Sequence, residues 1–256
     1  MSDRAEPSDL GLSGKTAVVT GASRGVGLAV ARRLAAGGAR VLLNYAHSEA
    51  DAERAVGQLA GLKGEVTAVR ADITTAEGLA ALLGAVRERS GRLDVFVHNA
   101  APWRPTTAVG GDPAAVTAAV GAALDPLLRG AAEIADLMAG GPGRIVAVSS
   151  SGARSVVPRY VGAGVAKAAL ESLVRYLAVE LAGRGITVNA VSTAKIDKGP
   201  ATPQPEVAAV LAARTPAGRL TTPADLADVV ALLCSPEAAW LHGQTLTADG
   251  GLGLLG

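Results

Sequence analysis

The chain has 256 residues, of which 49% are hydrophobic, 18% charged and 2% aromatic. A core of small aliphatic side chains suits a buried parallel sheet, and the length fits one open α/β domain. The net charge of +1 is spread along the chain, which argues against nucleic-acid and membrane binding. The single cysteine, Cys234, cannot form an internal disulfide, and there is no 18-residue apolar span or signal-like run. We therefore expect a cytoplasmic protein.

The predicted elements alternate between β-branched strands and Ala/Leu-rich helices. The first 14 residues are polar with Pro and Gly, so we predict a flexible leader (1–14) followed by one domain (15–256). Strands are predicted at 16–20, 40–45, 65–70, 93–98, 144–149, 185–191 and 244–248. Helices are predicted at 25–37, 49–60, 75–90, 113–139, 163–182, 205–213 and 223–234. The alternation predicts an α/β fold with a single-domain, Rossmann-like, doubly wound parallel sheet of about seven strands and helices on both faces.

The segment 192–215 is the longest interruption of this pattern. It contains Gly199 and the prolines Pro200, Pro203 and Pro205, so we predict that most of it is a long loop. Loops of this length in compact domains are usually functional, and we assign this one to the substrate.

A glycine-rich loop, TGASRGVG at residues 20–27, separates the first predicted strand from the first predicted helix. In this position the chain must turn tightly and bring backbone N–H groups against a pyrophosphate. The spacing differs from G-x-G-x-x-G, and a plain turn is the alternative, but the strand–loop–helix context favours a dinucleotide. The residues expected to bind it are Gly21, Ser23, Arg24, Gly25, Val26 and Gly27.

The end of the second predicted strand indicates which dinucleotide binds. An NAD-specific site would place a carboxylate there, but the chain has none among Asn44, Tyr45, Ala46, His47 and Ser48. A 2′-phosphate would not be repelled, and the Arg24 guanidinium is placed to pair with it. We therefore predict NADP(H) and assign Asn44, Tyr45, His47 and Ser48 to its site, with a solvated surface arginine as the alternative reading of Arg24.

Asp72 follows the third predicted strand, next to Ile73, and both are assigned to the cofactor site. The Asp72 carboxylate can accept a hydrogen bond from the adenine amino group. The alternative is that Asp72 is only the N-cap of the helix predicted at 75–90.

Several motifs together resemble the short-chain dehydrogenase/reductase family from Lys15 to Gly251. They are the loop Thr20-Gly-x3-Gly-x-Gly, the pair Asn99-Ala100 after the fourth strand, Ser150 after the fifth, and a Tyr/Lys pair on the next helix. The family's usual pair is Tyr-x3-Lys, but position 163 is Ala163, and the pair here is Tyr160-x6-Lys167. This longer spacing resembles the FabL-type enoyl-acyl-carrier-protein reductase branch, as do the segments 92–101, 167–181, 215–219 and 243–251.

The resemblance implies an NADPH-dependent reductase that transfers hydride to the β-carbon of an enoyl thioester. Tyr160 would stabilise the enolate oxygen, Lys167 would supply positive charge and anchor the nicotinamide ribose, and Ser150 would be catalytic. A strand-end turn is the alternative for Ser150, and an ordinary loop tyrosine is the alternative for Tyr160. Further cofactor contacts are assigned to Asn99, Ala100 and Ile196.

Within a continuous helix, residues 160 and 167 would lie on nearly the same face but about 10 Å apart along the axis. We expect Gly162 and Gly164 to loosen this first turn. Trp103 follows the fourth strand, at the edge where ligands bind, and is expected to wall the substrate pocket. The family usually forms dimers or tetramers, which implies a homo-oligomer.

Three departures keep other functions open. No asparagine occurs between Asn99 and Asn189, so the family's helix asparagine is replaced by Ala122 or Ala123. His98 stands where a second asparagine is common, and the loop after the sixth strand lacks the frequent Pro-Gly. The alternatives are an NADPH-dependent ketoreductase or tailoring reductase of a biosynthetic pathway, and a dinucleotide-binding protein with little catalysis. The three histidines are far apart in sequence, so we predict no metal site.

Overall fold

A computed structural model describes residues 10–101 and 103–254 and contains a seven-stranded, fully parallel sheet. The strand order is β3-β2-β1-β4-β5-β6-β7, so the direction of winding reverses between β1 and β4. Ligands of open α/β sheets bind at such a switch point, outside the carboxyl ends of the strands. The strands are β1 (Thr16–Val19), β2 (Arg40–Tyr45), β3 (Val66–Arg70), β4 (Val95–His98), β5 (Gly143–Val148), β6 (Ile186–Ser192) and β7 (Thr245–Thr247).

Seven α-helices connect or flank the strands in the described part of the chain. They are α1 (Gly25–Ala36), α2 (Glu49–Leu59), α3 (Ala76–Ser90), α4 (Pro113–Leu137), α5 (Val161–Leu181), α6 (Pro205–Arg214) and α7 (Pro223–Cys234). A short 3-10 helix, Ser151–Ala153, lies between β5 and α5. None of the helices in the described ranges is long and apolar enough to cross a membrane. The predicted fold class, a Rossmann-like doubly wound sheet, is confirmed.

Two apolar clusters cover the two faces of the sheet. One face packs against α1, α2 and α7, and the other packs against α3, α4 and α5. Successive side chains of a strand point to opposite faces, so β4 contributes Val95 and Val97 to the first cluster and Phe96 to the second. His98, the last residue of β4, therefore shares the face of Phe96, under α4 and α5.

Several local predictions need correction. Leu12 is completely buried in the first cluster, so the folded domain begins before Lys15, and only residues 1–9 of the predicted leader lie outside the described residues. Helix α5 begins at Val161 rather than at 163, directly after Tyr160. The helix predicted at 205–213 is present as α6. Because α6 lies inside the segment 192–215, the irregular part of that segment is shorter than the predicted long loop.

Candidate functional site

The glycine loop has backbone geometry that other residues would not tolerate. Gly21 and Gly25 have φ angles of +60° and +59°. At Gly27 an added Cβ would lie 2.5 Å from the Gly21 carbonyl oxygen and 2.7 Å from the Asn99 amide nitrogen. The loop backbone therefore packs too closely for a side chain, and α1 begins with its N–H groups at the carboxyl edge of the sheet.

Two asparagine side chains hold this loop in place. The Asn99 amide donates to the carbonyl oxygens of Thr20 (2.9 Å) and Gly21 (3.1 Å), while the Thr20 hydroxyl accepts from the backbone of Asn99 and Ala100. The Asn44 amide donates to the Ala71 carbonyl at 2.9 Å, and Asn44 is only 2% exposed. Asn44 and Asn99 were predicted to touch the cofactor, but both side chains bind backbone groups of the loop and of neighbouring strand ends.

Other predicted cofactor residues lie around the ends of β2 and β3. The side chains of Tyr45 and Ile73 are buried in the two apolar clusters, so only their backbone remains for a ligand. The Ser48 hydroxyl accepts from the backbone N–H of Asp51 and caps α2. Arg24 and His47, in contrast, are exposed.

Asp72 lies at the end of β3 within reach of the charge of His47. Its Oδ1 accepts from the backbone N–H (3.1 Å) and the hydroxyl (2.7 Å) of Thr74, and these bonds, aided by His47, hold the pKa of Asp72 below its usual value. The N-cap of α3 is Thr75, so the alternative reading of Asp72 as the cap is wrong. Both hydrogen bonds that Asp72 accepts within the described ranges reach Oδ1, which leaves Oδ2 for a ligand.

Tyr160 occupies the N-cap position of α5, and its place is fixed by packing and backbone bonds. The backbone around it pairs with Thr106, whose hydroxyl also accepts from the Gly162 N–H at 2.7 Å. Its ring lies on Gly152, where an added Cβ would be 2.6 Å from Tyr160 Cδ1 and 3.6 Å from Ser150 Oγ. The structure therefore brings Ser150 and Tyr160 to the same glycine.

Ser150 also has the alternative role considered for it. Its hydroxyl accepts from the Gly152 N–H at 3.2 Å and caps the short 3-10 helix. The expectation that Gly162 and Gly164 loosen the start of α5 is wrong. Both lie in the helix and are close-packed, and an added Cβ on Gly164 would lie 2.8 Å from the Gly152 carbonyl oxygen.

Lys167 is buried on α5 and faces the same cavity as Tyr160. Its ammonium donates to the Val148 carbonyl oxygen at 2.6 Å, and burial lowers the pKa of Lys167 to about 8. The cavity, of about 90 Å³, lies between α4 and α5 and is lined by Ala101, Trp103, Ala119, Ala123, Tyr160, Ala163, Ala166 and Lys167. Trp103 forms part of its wall and remains 58% exposed.

A carboxylate that the sequence did not single out supports this region. Glu171 is one turn beyond Lys167 on α5 and is buried. It accepts from the Ser149 hydroxyl (2.7 Å) and from Arg154 Nε (3.0 Å). These bonds tie α5 to both ends of the turn that carries Ser150 and Gly152. An i, i+4 spacing from Lys167 was the available signal in the sequence.

Ile196 lies outside these clusters, where its backbone forms a bridge with Thr221 at the start of the segment that leads to α7. Within the described ranges, no group of three His, Cys, Asp or Glu side chains is arranged to hold a metal ion. The polar groups at the carboxyl edge of the sheet thus form two sets, one around the glycine loop and one around Tyr160 and Lys167.

Comparisons with known proteins agree with this arrangement. A family model described as Enoyl-(Acyl carrier protein) reductase matches residues 21–253. The 1-cyclohexenylcarbonyl-CoA reductase of Streptomyces collinus is 40% identical over 247 residues, covering 94% of this chain and 88% of that protein.

Two solved structures of ketoreductases are also similar. The reductase LugOII, described as catalysing keto-reduction at C1 during lugdunomycin biosynthesis, has a TM-score of 0.87 and 34% identity, covering 96% of this chain and 99% of that one. The angucycline C-6 ketoreductase LanV with bound NADP has a TM-score of 0.87 and 33% identity, covering 96% and 97%. The chain belongs to the short-chain dehydrogenase/reductase family, whose members are oxidoreductases that bind nicotinamide dinucleotides.

Proposed function

We propose that this protein is an NADPH-dependent reductase of the C=C bond of an enoyl thioester. The observation that carries the proposal is the shared cavity of Tyr160 and Lys167, in which Tyr160 precedes α5 and Ala163 takes the usual tyrosine position. A phenol at the end of the helix is offset from the lysine and suits an oxygen remote from the reduced carbon. The similarity to a cyclohexenylcarbonyl-CoA reductase, whose name describes an enoyl thioester, supports the same substrate class.

The chain fits a nicotinamide dinucleotide because the glycine loop brings the first N–H groups of α1 to the carboxyl edge of the sheet, and at Gly25 an added Cβ would meet no protein atom within 4 Å. Among the described residues, the Arg24 guanidinium has no hydrogen-bond or ion-pair partner, and it lies on the same loop. We assign it to the 2′-phosphate of NADPH, with His47 as a neighbour and Asp72 Oδ2 as the acceptor for the adenine amino group. LanV, which has NADP bound, supports this choice of dinucleotide.

The reaction divides between the cofactor and the side chains of the cavity. When bound, the dinucleotide supplies the hydride that is added to the β-carbon of the substrate. The phenol of Tyr160 donates a hydrogen bond to the thioester oxygen, where negative charge develops. The buried Lys167 ammonium places a positive charge beside that oxygen. Ser150 lies beside the Tyr160 ring at Gly152 and helps to hold the ring in position. The enolate then takes a proton from solvent water at its α-carbon, which completes the addition of one hydride and one proton and leaves hydroxide to be neutralised by the buffer.

A ketoreductase is the second candidate, because the similar proteins LugOII and LanV are both described by keto-reduction. In that reaction the hydride adds to a carbonyl carbon, and Tyr160 gives its proton to the oxygen. The polar groups are the same in both reactions. The substrate pose within the cavity decides between them.

We also propose a homo-oligomer formed through α4 and α5. These helices expose apolar side chains on the surface, namely Leu128, Val165, Tyr176 and Val179. Light scattering of the purified protein tests this proposal, and a single monomeric mass at working concentration would reject it.

The function is tested by following NADPH absorbance with crotonyl-CoA and with acetoacetyl-CoA. We expect turnover of the crotonyl compound and a loss of about 10²–10⁴-fold in kcat in Tyr160→Phe. Turnover of the acetoacetyl compound alone would select the ketoreductase. Tight NADPH binding without turnover of either class would favour a dinucleotide-binding protein with little catalysis. Tyr176→Phe is the matched control because Tyr176 is on the same helix but 67% exposed, outside the cavity lining.

A further inference from the structure

His98 is a buried imidazole whose two nitrogens have different environments. The residue is 1% exposed. Its Nε2 lies 2.9 Å from the Ala123 carbonyl oxygen of α4, and because a carbonyl only accepts, Nε2 carries the proton. Nδ1 therefore holds a lone pair, and this atom is buried without a hydrogen-bond partner in the described part of the chain. An unpaired buried acceptor costs free energy, so it calls for a donor.

Lys167 is a donor on the same face of the sheet. Alternation along β4 places His98 under α4 and α5, and α5 carries Lys167. His98 pairs in register with Ala147, the neighbour of Val148, whose carbonyl receives the Lys167 ammonium. Ala123 and Lys167 both line the cavity, so His98 is bonded to a residue that lines the same cavity as Lys167.

The charges around the two residues agree with this arrangement. Burial and the nearby positive charge of Lys167 lower the pKa of His98 to about 4, so the ring is neutral at pH 7. On α5 the next charge is Glu171, which is bonded to Ser149 and Arg154. On α4 the next charges, Asp125 and Arg129, are bonded to each other at the surface. From the cavity, Tyr160 is the remaining titratable group.

We propose that His98 is a positioning residue for Lys167. Its Nδ1 lone pair accepts a hydrogen bond from one water that the Lys167 ammonium also binds, while its Nε2–H is anchored on α4. An ammonium has three N–H groups. One binds the Val148 carbonyl, one donates to the water at His98, and the third is left for the cavity. His98 thereby keeps Lys167 charged and oriented towards Tyr160. This proposal rests on the proposed function for the role of Lys167 in turnover.

His242 provides a matched control within the same chain. Its Nε2 lies 2.6 Å from the Ala178 carbonyl oxygen of α5, as His98 Nε2 lies near a carbonyl of α4. Its Nδ1, however, accepts from the Val188 N–H at 3.2 Å. His242 therefore has both nitrogens satisfied by backbone groups, and its role is structural.

The first test compares pH profiles of kcat for the wild type, His98→Leu, His98→Gln and His242→Leu, with crotonyl-CoA or acetoacetyl-CoA, whichever is turned over. Loss of an acceptor destabilises the charged form of Lys167, so in His98→Leu the alkaline fall in kcat should move down by about one pH unit. His98→Gln keeps a donor and an acceptor and should retain the wild-type profile. His242→Leu should lower Tm without moving the profile. An equal loss of kcat at every pH in His98→Leu would overturn the proposal.

The second test does not depend on turnover, so it separates this proposal from the proposed function. NMR of the ¹⁵N-histidine-labelled protein reports which nitrogen of His98 carries the proton and whether the other accepts a hydrogen bond. We expect the Nε2–H form, with an Nδ1 resonance that shifts towards the value of a free lone pair in Lys167→Met. An unchanged Nδ1 resonance in that variant, or a proton on Nδ1, would reject the pairing even if the enzyme is active. If neither substrate is reduced, the NMR result alone decides.

Discussion

The two halves of the carboxyl edge differ in how far the protein satisfies its own polar groups. Around the glycine loop, the amides of Asn44 and Asn99 and the hydroxyl of Thr20 are bonded to the backbone. Around the cavity, His98 Nδ1 is a buried acceptor with no partner within the described ranges, and the Lys167 ammonium makes a single hydrogen bond there, to the Val148 carbonyl. The first half, called the platform below, has side chains that are already hydrogen-bonded, so it presents backbone groups to a ligand. The second half contains buried polar groups that the protein itself satisfies only in part.

This difference has a physical basis in what each half must do. A platform for a constant cofactor gains from rigidity, because a preorganised site loses less conformational entropy on binding. A reacting site needs polar groups whose hydrogen bonds strengthen as charge develops, and such groups cannot all be satisfied beforehand. The predictions below test the two halves separately.

Gly27→Ala should have the largest effect, confined to the platform. The new methyl would lie 2.5 Å from the Gly21 carbonyl oxygen and force the loop to shift. Overpacking of this kind costs about 2–3 kcal/mol. If this cost falls on the cofactor-bound state, the Kd for NADPH should rise by about 30- to 150-fold. Fluorescence titration measures the Kd. Gly57→Ala, in α2 with no atom within 4 Å of the new methyl, should leave it unchanged.

The pH dependence of activity should be governed by the cavity half. Because burial lowers the pKa of Lys167 to about 8, kcat should fall above pH 8 by about tenfold per pH unit as the ammonium loses its charge. The free energy of unfolding should respond in the opposite direction. Between about pH 8 and 10.4 the unfolded state binds more protons at this residue, so the contribution of Lys167 to stability rises with pH. Rate profiles and denaturant titrations across this range measure the two effects, and a parallel fall in both would contradict the assignment.

Arg24→Gln should change which cofactor is used rather than whether one binds. Loss of a charge-assisted pair at an exposed position should raise KM for NADPH about tenfold and leave KM for NADH nearly unchanged. Steady-state kinetics with both cofactors provide the measurement. Arg32→Gln is the control, because Arg32 lies on α1, which begins directly after Arg24, and donates to the Gln58 carbonyl instead. An equal rise for both cofactors would mean that Arg24 acts only on the fold of the loop.

Glu171→Gln should have the smallest effect. The amide can still accept from Ser149, and the lost ion pair with Arg154 is partly exposed, so its contribution to stability is about 0–1 kcal/mol. We expect a two- to threefold decrease in kcat, about 0.5 kcal/mol, through a looser turn at Ser150. Arg87→Gln, which removes an exposed pair with Glu133 on α3 and α4, is the control and should leave kcat unaffected. A loss in Glu171→Gln as large as that of Tyr160→Phe would place Glu171 in the reaction itself.

Local patterns in the sequence were sufficient for the order of elements and for the position of the glycine loop. Alternating strands and helices have distinct periodicities, and a strand–glycine–helix transition is a local feature. Helix starts were predicted less well, and α5 begins two residues earlier than expected, at Val161. Its glycines suggested a loose turn because their neighbours in space, Gly152 and Thr106, are far away in the sequence.

The roles of individual polar residues were predicted least well. Asn44 and Asn99 have the right residue type and the right position for a ligand, yet the backbone of other segments takes their hydrogen bonds. Leu12 was assigned to a polar leader because the cluster in which it is buried is built from distant segments, including α1, β2 and α7. In each case the partners that the structure shows are distant along the chain.

By itself, the sequence determined a doubly wound parallel sheet, a glycine loop between β1 and α1, and the Tyr160-x6-Lys167 pair. These features depend on residue type and on spacing within one segment of the chain, and both can be read directly from the sequence. The tertiary structure alone decided that Tyr160 lies on Gly152, that Glu171 holds the turn at Ser150, and that His98 is buried with Nδ1 unpaired in the described part of the chain. These contacts depend on which polar atoms lose access to water on burial. The set of such atoms is decided only when strands and helices pack against each other.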